Sequence, residues 1–459
     1  MLPLPMPRRR PRRSTVRAIS LLVVLGVAML VLTAPAGASP ALTGRHLYGV
    51  ATVGSNEELL PFDVAEDGSL VERDDQAYAL SSGVGYVSIV VGRDARTVYL
   101  GIGDWFDMNT FQFVSGEIDV LSVATDGSLT LDQTVSGGVT HLALTPDGTR
   151  LFAIHGATES IESYPVEADG TLGTASSPTT VGDGGALSIT LSPGGSTLYV
   201  GSFNDPIYQF TVGLDGSLTA LSPATVSNPC QATFTALTPA SNTLDVFCDS
   251  SSGGYTYAIG SNGALAANPT SVSAHQGEFA GAADVRGRAL YTAISPNGIE
   301  QWQRQLDGSL AHFATSSDPT ADQGDALATD PSGDTLIADE QYTLARYTIA
   351  ADGSLSSSHL DLTTTAEWVR DLIYSPDQPP AAAVAATTSG LTASFDAGAS
   401  RAVDGTIASY DWSFGDGTTL ANGGPTPSHT YALAGDYTAT VTLTDSIGCS
   451  LTGTFSGAD

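Results

Sequence analysis

Acidic side chains and two histidines fall at matching points of this chain, each beside a short run of alternating apolar residues. Asp183, Glu278, Asp325 and Glu367 stand at or just before such runs, and His275 lies in the approach to one of them. Asp249, Asp339, Glu340 and His155 follow others. Oxygen-rich clusters of this kind suit Ca²⁺ or another hard cation, with Asp183, Glu278 and Asp325 as candidate ligands. A carboxylate beside a histidine suits general-base attack on an activated carbonyl, which makes Glu278, Glu367 and His155 the candidate catalytic groups. With 48 acidic residues in the chain, a solvated acidic rim accounts for the same pattern. No zinc, Walker-type or Gly-x-Ser-x-Gly spacing occurs.

A second chemistry is aromatic. Between Asp104 and Phe113 the chain carries Trp105, Phe106, Phe111 and Phe113 among acids and amides. Trp105 and Phe106 suit stacking on a sugar ring or a partner surface; folding back as a local plug is the alternative. Arg370 adds a cation with a view of the same region, offset by its neighbour Asp371. The candidate ligand-binding set is therefore Trp105, Phe106, Asp183, His275, Asp325 and Arg370.

These residues are positioned by a repeat. An Asp-Gly-Ser-Leu-like turn recurs with its first residue at Asp67, Asp126, Asp169, Asp215, Asn262, Asp307 and Asp352. A period of about 40–50 residues with strand-rich contents marks a β-propeller. Asp-Gly suits the two-residue hairpin turn with positive φ at its central positions. Five residues before each marker sits a bulky side chain: Phe62, Leu121, Tyr164, Phe210, Tyr257, Trp302 and Tyr347. Three residues before, Val or Ile recurs, with Arg304 the exception. That two-residue spacing puts both on one buried face of a strand. A Pro/Gly turn and a short strand precede each marker, so every unit reads as four strands, a to d. Seven units make seven blades, all-β. The b–c and d–a loops open on one face, the mouth, where the acids and aromatics above belong.

The repeat also shows how the ring closes. Arg45 to Val50 reads as a b-strand with no a-strand before it, while Trp368 to Tyr374 is an a-strand with no blade after it. Residues 368–375 are expected beside 45–51 as the innermost strand of blade 1, removing open sheet edges. The Ser-Pro-Asp-Gly-like turn, the Leu-Tyr-Val strand and the Asp-Gly-Ser-Leu turn resemble the lactonase-like seven-bladed propellers of 6-phosphogluconolactonase and YVTN-repeat surface proteins, over residues 42–377. After a linker, Tyr410 to Gly417, His429-Thr430-Tyr431 and Gly435-Asp436-Tyr437 resemble the PKD domain, an immunoglobulin-like sandwich, within 378–459. Tyr437, Ala439, Val441 and Leu443 alternate with threonines, as a strand with one wet side requires.

Residues 1–38 read as a signal peptide, with six arginines before the apolar run Ala18 to Leu32 and a small-residue cleavage site at Ala36-Gly37-Ala38. That run is short for a membrane span, and the general secretory route is expected. All 17 basic residues are arginine. Eleven remain after export against 48 acids, a net charge of −37. That field excludes nucleic acid and anionic membrane as partners. Cys230 and Cys248 fall opposite one another in a hairpin, placed for a disulfide or for two buried thiols; Cys449 has no obvious partner.

Together these features imply a monomeric secreted or cell-surface recognition protein. Its propeller mouth would bind a carbohydrate or protein, and the PKD-like module would act as spacer or second contact. The rival is an extracellular lactonase-like hydrolase using mouth carboxylates, with Ca²⁺ as an optional partner. A phosphorylated lactone is disfavoured, because the chain has no lysine and the rim is acidic.

Overall fold

The computed structural model describes residues 19–24 and 45–458, except 55, 66–67, 81–85, 108–111, 125, 183–185, 203–205, 231, 238–241, 249–253, 273–277, 295–297, 306–307, 317–325, 341–342, 357–359, 365, 379, 381, 403–405 and 446–449. Among these residues the regular structure is β apart from two single 3-10 turns. They divide into two compact units, one spanning His46–Pro376 and one containing the chain from Asp377 onward.

The first unit is a ring of seven sheets, each with four strands stepping outward from the axis, and blade 1 carries a fifth short strand, Tyr78–Ala79, also paired with Asn56–Val64. The inner strands are Trp368–Tyr374, Val87–Val91, His141–Leu144, Ala186–Leu191, Ala232–Ala236, Glu278–Ala283 and Leu327–Thr329. Each packs against the next, and the seventh packs against the first, so the circle is closed. Blade 1 joins the two ends of the repeat. Arg45–Val53 runs antiparallel to Trp368–Tyr374, with Leu47 opposite Tyr374 and Thr52 opposite Trp368. Ser375 locks the seam, its N–H donating to His46 O and its Oγ accepting from His46 N–H.

Burial follows the repeat. Phe62, Leu121, Tyr164, Phe210, Tyr257, Trp302 and Tyr347 are all buried. The turns differ from the expected type. In every unit the turn glycine (Gly68, Gly127, Gly170, Gly216, Gly263, Gly308, Gly353) has φ between 76° and 92°. The preceding Asp or Asn, wherever it is described, does not have positive φ. Gly127 N–H donates to Ala124 O and Ala124 N–H to Ser128 O. This is a three-residue loop, a type I turn closed by a left-handed glycine. The Asp side chain explains the choice. Asp126 Oδ1 accepts both the N–H (3.1 Å) and the hydroxyl (2.7 Å) of Ser128, an arrangement that a right-handed Asp supplies. These bonds hold the carboxyls of Asp126, Asp169, Asp215 and Asp352 below the usual range.

The same turns are where blades grip each other. Tyr99 Oη donates to Gly170 O (2.9 Å), Tyr199 Oη to Gly263 O (2.6 Å) and Tyr291 Oη to Gly353 O (2.7 Å). Beside them Gln133, Gln209 and Gln301 accept from Leu172, Leu265 and Leu355 N–H. Blades 2, 4 and 6 thus clamp blades 3, 5 and 7 through their Asp-Gly turns, each bond contributing about 1 kcal/mol. Between blades 5 and 6 the grip is ionic. Arg304, the exception in the apolar register, reaches Asp245, which occupies the tyrosine position of blade 5 and is fully buried.

A closed ring still leaves the inner edge of every sheet without a strand partner, and buried backbone groups need one. Side chains of neighbouring blades supply it. Asp371 accepts from Ile89 N–H (2.8 Å), Ser88 Oγ from Leu142 N–H (3.1 Å), and Thr329 Oγ1 donates to Ala283 O (2.8 Å).

In the second unit, Ile407–Ser413, Thr438–Asp445 and Ser450–Ala458 form one sheet, and Ala385–Ser389, Thr392–Asp396 and Ser428–Thr430 another. Trp412, Phe414, Phe395, Tyr431, Ala439, Val441 and Leu443 fill the space between them. Ile19–Val24, inside the segment read as a signal peptide, lies parallel to Gly453–Ala458 at the edge of the first sheet.

Candidate functional site

The mouth is built from the ends of b-strands, the starts of c-strands and the starts of inner strands. In blade 2 the b–c connection leaves the sheet as a separate ribbon. Trp105–Asp107 pairs with Gln112–Val114, Trp105 opposite Val114 and Phe106 opposite Phe113. Its base is pinned by Asp104 Oδ1, which accepts from Gly116 N–H at 2.8 Å, and by Gly103 N–H donating to Tyr86 O at 2.7 Å. The described part of the aromatic insertion is thus a two-stranded extension beside Tyr86, a residue 56% exposed. The side chains of Trp105 and Phe106 lie outside the described part of the chain.

The other expected residues distribute unevenly. Asp183, His275, Asp325, Asp249 and Cys449 fall outside the described residues, as does the side chain of Glu278, whose backbone opens the inner strand of blade 6. Glu367 is exposed, with its N–H donating to Thr52 O at 2.8 Å. Asp339 and Glu340 were expected on a solvated rim; both are buried. Asp339 Oδ2 accepts from Val369 N–H in blade 1 and Glu340 Oε1 from Tyr347 Oη at 2.6 Å. Both satisfy groups that burial would otherwise strand: Asp339 joins blade 7 to blade 1, and Glu340 ties neighbouring strands within blade 7. Among the described residues no group of three His, Cys, Asp or Glu side chains converges as a metal site. Cys230 and Cys248 form a disulfide, with Cα atoms 5.7 Å apart.

His155, at the mouth end of the blade 3 b-strand, is buried in a small polar group. Its Nε2 lies 3.4 Å from Glu162 Oε2 and 3.3 Å from Tyr164 Oη, and Tyr164 Oη donates to the same Glu162 oxygen at 2.7 Å. Glu162 thereby favours the tautomer with the proton on Nε2, leaving Nδ1 as the basic nitrogen. The ring lies against Gly137, whose N–H donates to Gly116 O at the foot of the blade 2 ribbon. Sequence reading placed His155 at the mouth and missed Glu162 and Tyr164, although their alternation with Ser160 on one strand puts them on one face.

Arg370 does not stand free in the channel. Its Nη2 is 3.0 Å from Glu57 Oε1 and its guanidinium lies 4.7 Å from the Trp368 ring centre. Two deeper groups were not singled out from sequence. Burial lowers His141 to about 4, which keeps it neutral. Burial raises Asp371 to about 7, opposed by the N–H groups of Ile89 and Leu372. In an unfolded chain Asp371 ionises near 3.9. Stability from this group is therefore fully present below about pH 4 and declines as pH rises toward 7. Asp371→Asn keeps an oxygen for Ile89 N–H and removes the ionisation. Denaturant titrations should show that variant more stable than wild type by roughly 2–4 kcal/mol at pH 8 and little different at pH 4. Equal gains at both pH values would refute the assignment.

With this geometry in view, the relatives are consistent. Residues 375–456 match the PKD domain family. The ring has the fold of lactonase-like propellers. A putative 6-phosphogluconolactonase from Bacteroides fragilis superposes with TM-score 0.59 at 17% identity, covering 72% of this chain and 97% of that one. The periplasmic gluconolactonase of Pseudomonas aeruginosa gives 0.59 at 18%, covering 72% and 99%. A putative 6-phosphogluconolactonase from Bacteroides uniformis gives 0.61 at 18%, covering 72% and 98%. At these identities the likeness is one of fold.

Proposed function

We propose that this lactonase-like propeller with its PKD domain is a secreted or cell-surface recognition protein whose mouth binds a carbohydrate or protein partner. The PKD domain serves as spacer or second contact. The observation that carries this reading is the blade 2 ribbon, a two-stranded extension with aromatic residues, pinned at its base beside exposed Tyr86. Loops held by a rigid scaffold are where recognition resides. Two of the described mouth acids argue the same way, because Asp339 is engaged in joining blade 7 to blade 1 and Glu340 in a bond within blade 7.

A hydrolase is the second reading, favoured by the His155–Glu162–Tyr164 group and by the fold shared with a periplasmic gluconolactonase. Its substrate would be an uncharged lactone, since Glu57 neutralises Arg370. The mature chain should be assayed for binding to a glycan array and to purified cell envelope. In parallel it should be incubated with a panel of lactones, with Ca²⁺ and after chelation. Binding that falls about tenfold in Trp105→Ala, with no turnover, is the expected result. Turnover lost in His155→Gln, Glu278→Gln or Glu367→Gln would replace recognition with catalysis.

A further inference from the structure

Among the described residues, three buried polar atoms at the mouth of blade 1 lack hydrogen-bond partners: the Trp368 indole N–H, the Arg370 Nε–H and Glu57 Oε2. Leaving such groups unpaired costs free energy, so their concentration in one place calls for a cause. They belong to one assembly. Thr52 and Glu57 flank the b–c turn of blade 1, and Thr52 Oγ1 donates to Glu57 Oε1 at 3.1 Å. Trp368 is the strand partner of Thr52, and Arg370 bridges the Trp368 ring and Glu57. The bond from Ile89 N–H to Asp371 aligns the inner strands of blades 1 and 2. Tyr86 lies three residues toward the mouth from Ile89, and Trp368 two pairing steps toward it from Asp371 across the bulge at Arg370, so both stand at the mouth end of adjoining inner strands.

We propose that Tyr86, Trp368, Arg370 and Glu57 form a subsite for an uncharged polyhydroxylated ring, a pyranose unit of a neutral glycan. This rests on the recognition reading and specifies its ligand. Two donors beside one acceptor are the complement of neighbouring hydroxyls, each of which both accepts and donates. Tyr86 and Trp368 add flat apolar faces for the C–H side of the ring. Anionic ligands fit poorly, because Glu57 already neutralises Arg370, Glu367 is exposed close by, and the mature chain carries a net charge of −37.

Calorimetric titration of the full mature chain tests this with uncharged oligosaccharides and methyl pyranosides, set against glucose 6-phosphate and glucuronate. The expected result is binding of an uncharged sugar, weakened about tenfold by Tyr86→Ala and also by Glu57→Gln. The unfolding midpoint of Tyr86→Ala should remain close to wild type, Tyr86 being exposed. Quenching of tryptophan fluorescence by the sugar should disappear in Trp368→Phe. If a sugar binds with undiminished affinity to both Tyr86→Ala and Glu57→Gln but not to Trp105→Ala, the subsite is wrong while recognition at the ribbon stands. Preference for the phosphorylated or carboxylated sugar would also overturn the subsite. Failure of the wild type to bind any glycan or envelope component would overturn both.

Discussion

Replacing Asp245 with alanine is expected to cost about 3–5 kcal/mol of stability, among the largest effects of any single substitution in the ring. Asp245 is fully buried and faces Arg304 of the next blade, with Thr256 Oγ1 donating to it at 2.8 Å. Burial raises its carboxyl and the Arg304 charge opposes that rise. Arg304 in turn donates to Thr243 Oγ1 (2.7 Å) and Gly308 O (2.9 Å). Removing the carboxylate leaves a guanidinium in the interior with two neutral acceptors and no counter-charge. Replacing both partners is a different matter. Asp245→Phe with Arg304→Val restores the residue types that other blades carry at these positions, and should recover stability to within about 1 kcal/mol of wild type or above it. Unfolding in guanidinium, followed by tryptophan fluorescence, measures both; Trp302 lies two residues from Arg304 and is buried. A loss below 1 kcal/mol for Asp245→Ala would show the pair to be peripheral.

Cutting the chain before the closing strand should have the larger consequence. A protein ending at Asp377 retains Trp368–Tyr374 and the Ser375 seam, and is expected to unfold cooperatively near the midpoint of the intact ring. A protein ending at Thr364 lacks them. It loses the buried Val369, Leu372 and Tyr374 side chains, worth about 1.5–3 kcal/mol each. It also exposes an unpaired edge on Arg45–Val53 and releases Ile89 N–H and Asp339 from their blade 1 partners. The sum rivals the whole stability of an ordinary domain. Collapse to a protease-sensitive, aggregating species is therefore expected. Cooperative unfolding of the shorter protein at the original midpoint would refute the role assigned to the seam.

Much of this architecture was legible residue by residue. The seven turns, the bulky side chain five positions before each, and the unmatched strands at 45–50 and 368–374 are local patterns with a fixed period. Arg304 stood out because it broke that period, and its meaning waited for Asp245, which sits in the place of a tyrosine one blade earlier. The turn type differs from the expected one because Asp-Gly fits two hairpin classes; the bonds that Asp126, Asp169, Asp215, Asn262 and Asp352 accept from the residue two positions on select between them.

The site was less legible. Arg370 was noticed as a cation near the pore, while Glu57, its partner, lies 313 positions away in sequence, and Asp371 meets Ile89 across 282. Alternation and spacing along a chain are set by backbone geometry, which acts within a few residues, so strands, turns and blade number can be read without coordinates. Which side chains meet between blades depends on how adjoining sheets are set against each other and on which polar groups closure would leave unsatisfied. For that reason the sequence alone determined a ring of seven sheets followed by a sandwich. Only the tertiary structure decided that the mouth acid Asp339 ties blade 7 to blade 1 and that the blade 1 mouth assembles Trp368, Arg370 and Glu57.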